Sequence, residues 1–270
     1  MKKGLTLLLF FAMGTGFLFA QRGFNVQLAL QPGASFLSGD WKAGSDGSGN
    51  DYAYKKTFTF GFEGGVNGGY NFTDNMGVSV GLIYALQGQN YKELVVTTSE
   101  GDQILNNDIS LSYLKIPFRF IYSTNPENSI SITGYAGFYL GFLAGYKQTM
   151  TFAGTNTFGG MAETDVLKGK TATITTGSGS NSYDLTARPF KTVDFGLTLG
   201  AGAQKRLSEN LFLFVMLNYQ MGFFDIKNKS AQVKLSASDI RDIYRSTDPN
   251  TSVNHRNAAF GLTLGVKKCF

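Results

Sequence analysis

Residues 193–204 read VDFGLTLGAGAQ, and in this stretch apolar side chains alternate with small or polar ones. One set of alternate positions holds Val, Phe, Leu and Ala, and the other holds Asp, Gly, Thr and Gln. Because successive side chains of a strand point to opposite faces, a period of two predicts a β-strand with one apolar and one small or polar face.

Seven further segments show the same alternation. They are about 10–14 residues long, which exceeds the usual five to six of soluble strands and suffices to cross a bilayer when tilted. They cover residues 24–36, 58–70, 77–87, 113–122, 130–145, 211–222 and 257–270.

The connections between these segments alternate in length. Short turns are predicted at residues 73–75, 124–128 and 206–210, and long polar connections at residues 39–56, 90–108, 148–189 and 224–255. This asymmetry is typical of bacterial membrane barrels, which have short periplasmic turns and long external loops. We therefore predict an all-β fold, an eight-stranded antiparallel up-and-down transmembrane β-barrel, with both mature termini in the periplasm.

The volume of such a barrel decides which face points outward. An eight-stranded barrel has an interior just wide enough for side chains, so the Gly-rich polar set fits inside and stacked Phe and Leu would overfill it. Outward Phe and Leu then require outer-membrane lipid, whereas a soluble lipocalin-like barrel, the alternative, would hold them inside. Aromatic residues predicted to face outward near strand ends are Phe24, Tyr70, Phe72, Tyr84, Tyr122, Tyr146, Tyr219 and Phe270.

The N-terminus is typical of a secretory signal peptide. Lys2 and Lys3 precede an apolar run from residue 5 to residue 19, and the small residue Ala20 follows. We predict a signal peptide over residues 1–20 and an outer-membrane β-barrel domain over residues 21–270, in the cell outer membrane.

Charge and cysteine content exclude several classes of function. The net charge of +5 falls to +3 without Lys2 and Lys3, and the remaining basic residues are too scattered for a nucleic-acid surface. A single cysteine, Cys269, excludes an internal disulfide and a Cys-based metal cluster. We expect no nucleic-acid partner, no cofactor and no metal.

Four charged residues, Glu63, Lys115, Arg119 and Asp194, alternate toward the predicted lumen. An unpaired buried charge is strongly destabilising, so two acids and two bases in a narrow interior are expected to pair. We predict a lumen ion-pair network that plugs the barrel, with a proton or ion path as the alternative.

The run SYLKIPF at residues 112–118 resembles the Tyr-Leu-Glu-Ile-Pro-Leu signature of the PorT-like outer-membrane β-barrel family of Bacteroidota. The matching residues are Tyr113, Leu114, Ile116 and Pro117, and Lys115 departs from the acidic residue more usual there. The resemblance implies an outer-membrane barrel and a possible association with a protein-secretion apparatus. Phe270 is similar to the C-terminal aromatic residue that such barrels present to their insertion machinery.

Together these patterns favour a non-enzymatic integral outer-membrane barrel with a structural or partner-binding role among envelope or secretion-complex proteins. One alternative is passive transport of small solutes or hydrophobic ligands. Another is a lipid-modifying enzyme, because the sole histidine, His255, has Ser252 and Asp248 nearby in sequence, and some outer-membrane hydrolases place Ser and His on the barrel wall.

Overall fold

The computed structural model describes residues 22–38, 42–45, 51–53, 55–98, 101–124, 128–154, 163–168, 171–176, 179–184, 188–228 and 255–270. The predicted signal peptide, residues 1–20, lies outside these ranges, so the division at residue 20 stays a prediction. The strands are β1 Gly23–Ser38, β2 Lys42–Ser45, β3 Asp51–Ala53, β4 Lys55–Thr57, β5 Thr59–Asn71, β6 Met76–Thr98, β7 Gly101–Ser123, β8 Ile130–Gly154, β9 Glu163–Lys168, β10 Thr171–Thr176, β11 Gly179–Asp184, β12 Val193–Arg206, β13 Leu211–Gly222 and β14 Arg256–Cys269. Among the described residues, no helix has the length and apolar character needed to cross a membrane.

Eight of these strands close into a barrel. Their order around the ring is β1, β5, β6, β7, β8, β12, β13 and β14, and β14 pairs with β1 to complete it. Every neighbouring pair is antiparallel. The predicted eight-stranded antiparallel barrel is confirmed, and each predicted strand corresponds to one strand of the ring.

The two ends of the barrel differ. At one end, which we call the short-turn end, only four to six residues separate β5 from β6, β7 from β8 and β12 from β13. Both ends of the barrel domain meet there, where the Phe270 N–H donates to the Phe24 carbonyl oxygen over 2.9 Å. The opposite end, which we call the hairpin end, carries the long connections.

At the hairpin end the strands run far beyond the ring. β6 and β7 remain paired as far as Thr98 and Gly101, and β9, β10 and β11 extend the sheet from the outer part of β8. The prediction of long polar connections over residues 90–108 and 148–189 is therefore wrong for most of both ranges. These segments have polar residues on both faces, so they lack the apolar alternation that marks a strand, although their Thr and Val content suits one.

The exposure of the side chains confirms that apolar residues point outward from the ring and that small or polar residues point into the lumen. Leu28, Leu30 and Val66 are among the apolar residues exposed on the outside, whereas Asn25 and Asn67 are buried inside. Inward-facing glycines let strands approach closely, since a Cβ atom on Gly137 would overlap the Phe118 carbonyl oxygen.

One predicted outward aromatic residue faces inward. β8 carries a bulge opposite Ser112 and Tyr113, where the register shifts by one residue. A one-residue shift moves every later side chain to the other face. Tyr146 therefore lies buried against the Phe190 ring, with 5.1 Å between ring centroids, instead of facing outward.

The outward apolar face gives a test on two equally exposed leucines. Leu217 lies near the middle of β13 and is 54% exposed, and Leu207 lies in a short turn and is 53% exposed. Replacing Leu217 with Arg should lower the free energy of unfolding by about 2–4 kcal/mol, because that position lies in hydrocarbon. Leu207→Arg should change it by less than about 1 kcal/mol near the interface. Denaturant titration in phospholipid vesicles measures both, and equal effects would contradict the assignment.

Candidate functional site

The centre of the lumen is occupied by a buried ion pair. Glu63 from β5 and Lys115 from β7 both fall on inward positions of their strands, and 2.8 Å separates the carboxylate Oε1 from Nζ. The two side chains are only 5% and 2% exposed. Because a charge in this surrounding has little water to solvate it, the pair needs further hydrogen bonds to be tolerated.

Two glutamines supply these hydrogen bonds. Gln220 from β13 donates to Glu63 Oε2 and accepts from Lys115 Nζ, each over 2.6 Å. Gln87 from β6 donates to Glu63 Oε1 over 3.1 Å. Both carboxylate oxygens are thus satisfied, and four strands are joined across the lumen. We call Glu63, Gln87, Lys115 and Gln220 the quartet.

Asp194 is a second buried carboxylate in the lumen, and it is held by neutral hydrogen-bond donors. Its Oδ2 accepts from the Tyr139 hydroxyl over 3.0 Å and from Asn257 Nδ2 over 2.9 Å. Lys115 Nζ lies 4.7 Å from the centroid of the same Tyr139 ring, so this tyrosine separates Asp194 from the quartet. Within the described ranges, no basic group lies at ion-pair distance from Asp194.

Arg119 also stands apart from the quartet. Its guanidinium lies 4.5 Å from the centroid of the Tyr135 ring, and the Tyr135 hydroxyl donates to Asn218 over 2.6 Å. Of the four residues predicted to form one ion-pair network, the structure brings together Glu63 and Lys115. Tyr135 and Tyr139 occupy the space in which the other charges could have met.

Sequence reasoning missed the neutral members of this layer. Gln87, Gln220 and Asn257 stand at inward positions, so their placement was readable from the alternation, but their partners lie on strands distant in sequence. Gln220, for example, is 157 residues from Glu63. Alternation gives the face of a side chain and gives neither its height in the barrel nor its partner.

Between the quartet and the short-turn end lies an open cavity. Its volume is about 50 Å³, and Glu63 lies at its inner boundary. Polar and basic side chains share the wall with apolar ones, among them Asn67, Arg119, Lys267, Phe214 and Met216. Tyr91 and Tyr113, which lie nearer the hairpin end than Lys115, and Tyr139, whose ring lies beside Lys115, are among the largest fully buried side chains.

The residues of the PorT-like resemblance lie on both faces of β7. Tyr113 and Pro117 point inward and are buried, Leu114 is exposed on the outside, and Ile116 is half-buried. Tyr113 lies at the register shift between β7 and β8. The run therefore contributes to lumen packing and to the outer surface together.

His255 lies at the hairpin end, directly before β14. Its side chain is buried, and its backbone N–H donates to Asp225 Oδ1 over 3.1 Å. Ser252 and Asp248, the other members of the hypothetical hydrolase site, lie outside the described residues. That hypothesis stays a prediction, and an esterase assay on the His255→Ala variant tests it.

Comparisons with known proteins give a family and several distant structures. A family model described as outer membrane protein beta-barrel domain matches residues 19–228. No curated protein shows significant similarity to the sequence.

The solved structures that resemble this chain are remote in sequence. OprG of Pseudomonas aeruginosa is 14% identical, with 93% of this chain and 97% of that one covered at a TM-score of 0.40. A major outer membrane protein of Thermus thermophilus is 15% identical, with 91% and 99% covered at a TM-score of 0.39. Neisserial surface protein A is 14% identical, with 92% and 97% covered at a TM-score of 0.38. Scores this low assign no role.

The ion pair should respond asymmetrically to substitution. Lys115→Met leaves the Glu63 carboxylate buried without its cation and should lower the free energy of unfolding by about 3–5 kcal/mol. Adding Glu63→Gln removes the unpaired charge and keeps hydrogen-bonding groups, so the double variant should recover most of this loss. Lys205→Met, at an exposed position of β12, serves as the matched control and should be near neutral. Equal stability of the single and double variants would contradict this assignment.

Proposed function

The chain belongs to the outer membrane protein beta-barrel domain family, and from this premise we propose that it is a non-conducting, non-enzymatic barrel that binds a partner at its hairpin end. It is a protein of the Gram-negative outer membrane, in contact with outer-membrane lipid. The buried lumen and the extended strands support a finer role as anchor and binding platform.

The observation that carries the proposal is the buried quartet. Its hydrogen bonds join four strands across the barrel, and the buried rings of Tyr91, Tyr113 and Tyr139 fill the lumen around it or toward the hairpin end. Conduction would require a continuous water path past a satisfied ion pair. Breaking that pair is strongly unfavourable, so the closed state dominates.

The direction of the barrel follows from its asymmetry. Barrels of this class place short turns in the periplasm and long connections outside the cell. We accordingly place both mature termini in the periplasm and the hairpin end at the cell surface, where a partner would meet it.

The extended sheet is the surface best suited to a partner. β9, β10 and β11 continue the sheet from β8, and β11 lies at the end of this series. A terminal strand offers backbone N–H and carbonyl groups that an incoming strand can pair with. Strand addition at β11 is therefore the binding mode we propose.

The resemblance at Tyr113, Leu114, Ile116 and Pro117 refines the proposal. These residues resemble the signature of PorT-like barrels, and the resemblance supports a partner within an envelope or secretion assembly. The motif contributes to the lumen and to the outer surface of β7, so it supports family kinship. The hairpin end supplies the contact surface for the partner.

Planar-bilayer recording tests the closed lumen. The mature barrel, reconstituted at a density that gives frequent insertions for a porin control, should give no steady single-channel steps, because the quartet blocks the lumen. Stable steps in the unmodified protein would overturn the proposal and favour passive solute transport. Swelling of protein-loaded liposomes in a small neutral sugar gives an independent reading of the same question.

Crosslinking on whole cells tests the binding platform. A variant in which a short Gly-Ser linker replaces residues 155–187 lacks β9 to β11 and keeps all eight strands of the ring. It should insert normally, as judged by a heat-dependent gel shift, and lose the crosslinked partner captured by the unmodified chain. A matched control replaces residues 207–210 in a short turn with the same linker and should keep that partner. Retention of the partner without β9 to β11 would contradict the proposed surface.

A further inference from the structure

The cavity at the short-turn end holds two basic side chains without acidic partners. Lys267 from β14 is buried, and its Nζ donates to Gln204 Oε1 over 2.8 Å and lies 4.8 Å from the Phe212 ring centroid. Arg119 from β7 stacks on Tyr135, and its buried Nε has no hydrogen-bond partner. Across the described part of the chain, neither cation has a carboxylate at ion-pair distance.

The acids that line the same cavity are already neutralised. Glu63 is paired with Lys115 at its inner boundary. Asp74, near the mouth, is paired with Arg22 over 3.2 Å. The described lining therefore carries an excess of positive charge in a confined space, and a buried cation without a counter-charge is unfavourable.

The two cations stand on opposite walls of the barrel. β7 and β14 are four strands apart in both directions around the eight-stranded ring, so they form opposite walls. Between them the wall also includes Ile83, Phe214 and Met216, whose side chains are apolar. Because the interior of an eight-stranded barrel is narrow, one anion between the two walls can receive hydrogen bonds from both Arg119 and Lys267 while an attached apolar group contacts these three side chains.

The mouth of the cavity lies at the short-turn end. Asp74, Asn75 and Met76, in and next to the turn between β5 and β6, belong to its lining. The quartet closes the inner end, so a ligand enters and leaves by the same opening. This geometry gives a binding pocket with one entrance and no path through the barrel.

We propose that the cavity between Arg119 and Lys267 binds a small amphiphile with an anionic carboxylate head and a short apolar body, admitted from the short-turn side. The head receives charge-assisted hydrogen bonds from the two basic side chains, and the body lies against Ile83, Phe214 and Met216. This site is independent of the proposed partner surface, which lies at the other end of the barrel.

Calorimetry with octanoate tests the proposal directly. The mature barrel is held in phosphatidylcholine nanodiscs, and the signal from empty nanodiscs is subtracted to remove partition into lipid. Octanoate should bind saturably, octanol should give no saturable signal because it lacks the charge, and acetate should bind more weakly because it lacks the apolar body. Absence of saturable octanoate binding, or equal binding of octanol, would overturn the proposal without any substitution.

Substitutions of Arg119 and Lys267 test whether octanoate binds in this cavity. Arg119→Met and Lys267→Met should each weaken octanoate binding by about tenfold or more, the usual effect of losing one hydrogen bond to a charged group. Lys267→Arg keeps the charge and should retain most of the affinity. Lys205→Met removes an equal charge from an exposed position of β12 and should leave the affinity unchanged. Unaltered affinity in both the Arg119 and Lys267 methionine variants would overturn the assignment.

Discussion

Backbone N–H and carbonyl groups have no water to bond with inside a bilayer, so a sheet can cross hydrocarbon only when it closes on itself. The pairing of β14 with β1 meets this constraint, since it leaves no open edge within the ring. Closure at eight strands then fixes a narrow interior, which holds mainly small and polar side chains and leaves most Leu and Phe side chains for the lipid. The inward or outward direction of most side chains in the ring follows from this step, and the β8 bulge is an exception.

The narrow interior also shapes the polar chemistry inside. Lys115 can be buried because Glu63 and Gln220 surround its ammonium group at hydrogen-bond distance. Toward the short-turn end, glycines and small polar residues leave a cavity in place of a packed core. The buried ion pair thus occupies the centre of the lumen, and the cavity opens toward one end of the barrel.

Much of the fold was predictable from the sequence, because the period of two marks each strand and fixes its inward face. The sequence predicted the structure less well where that alternation fails. The β8 bulge opposite Tyr113 turns Tyr146 inward. The extended parts of β6, β7 and β8 and the strands β9 to β11 were not predicted, because both of their faces carry polar residues. In the candidate site, the inward positions of Glu63, Lys115, Arg119 and Asp194 could be read. Their partners could not, because contacts across the lumen depend on strand register and on the size of the intervening tyrosines.

Contact between lipid and the apolar face of the ring can be measured by methyl-resolved NMR of the barrel in nanodiscs, through cross-relaxation between side-chain methyls and lipid acyl chains. Leu82 and Ile83 are adjacent in β6, with Leu82 exposed outward and Ile83 buried in the lumen. We expect strong acyl-chain contacts for the Leu82 methyls and none for those of Ile83, and the reverse pattern would show that the apolar face points into the lumen.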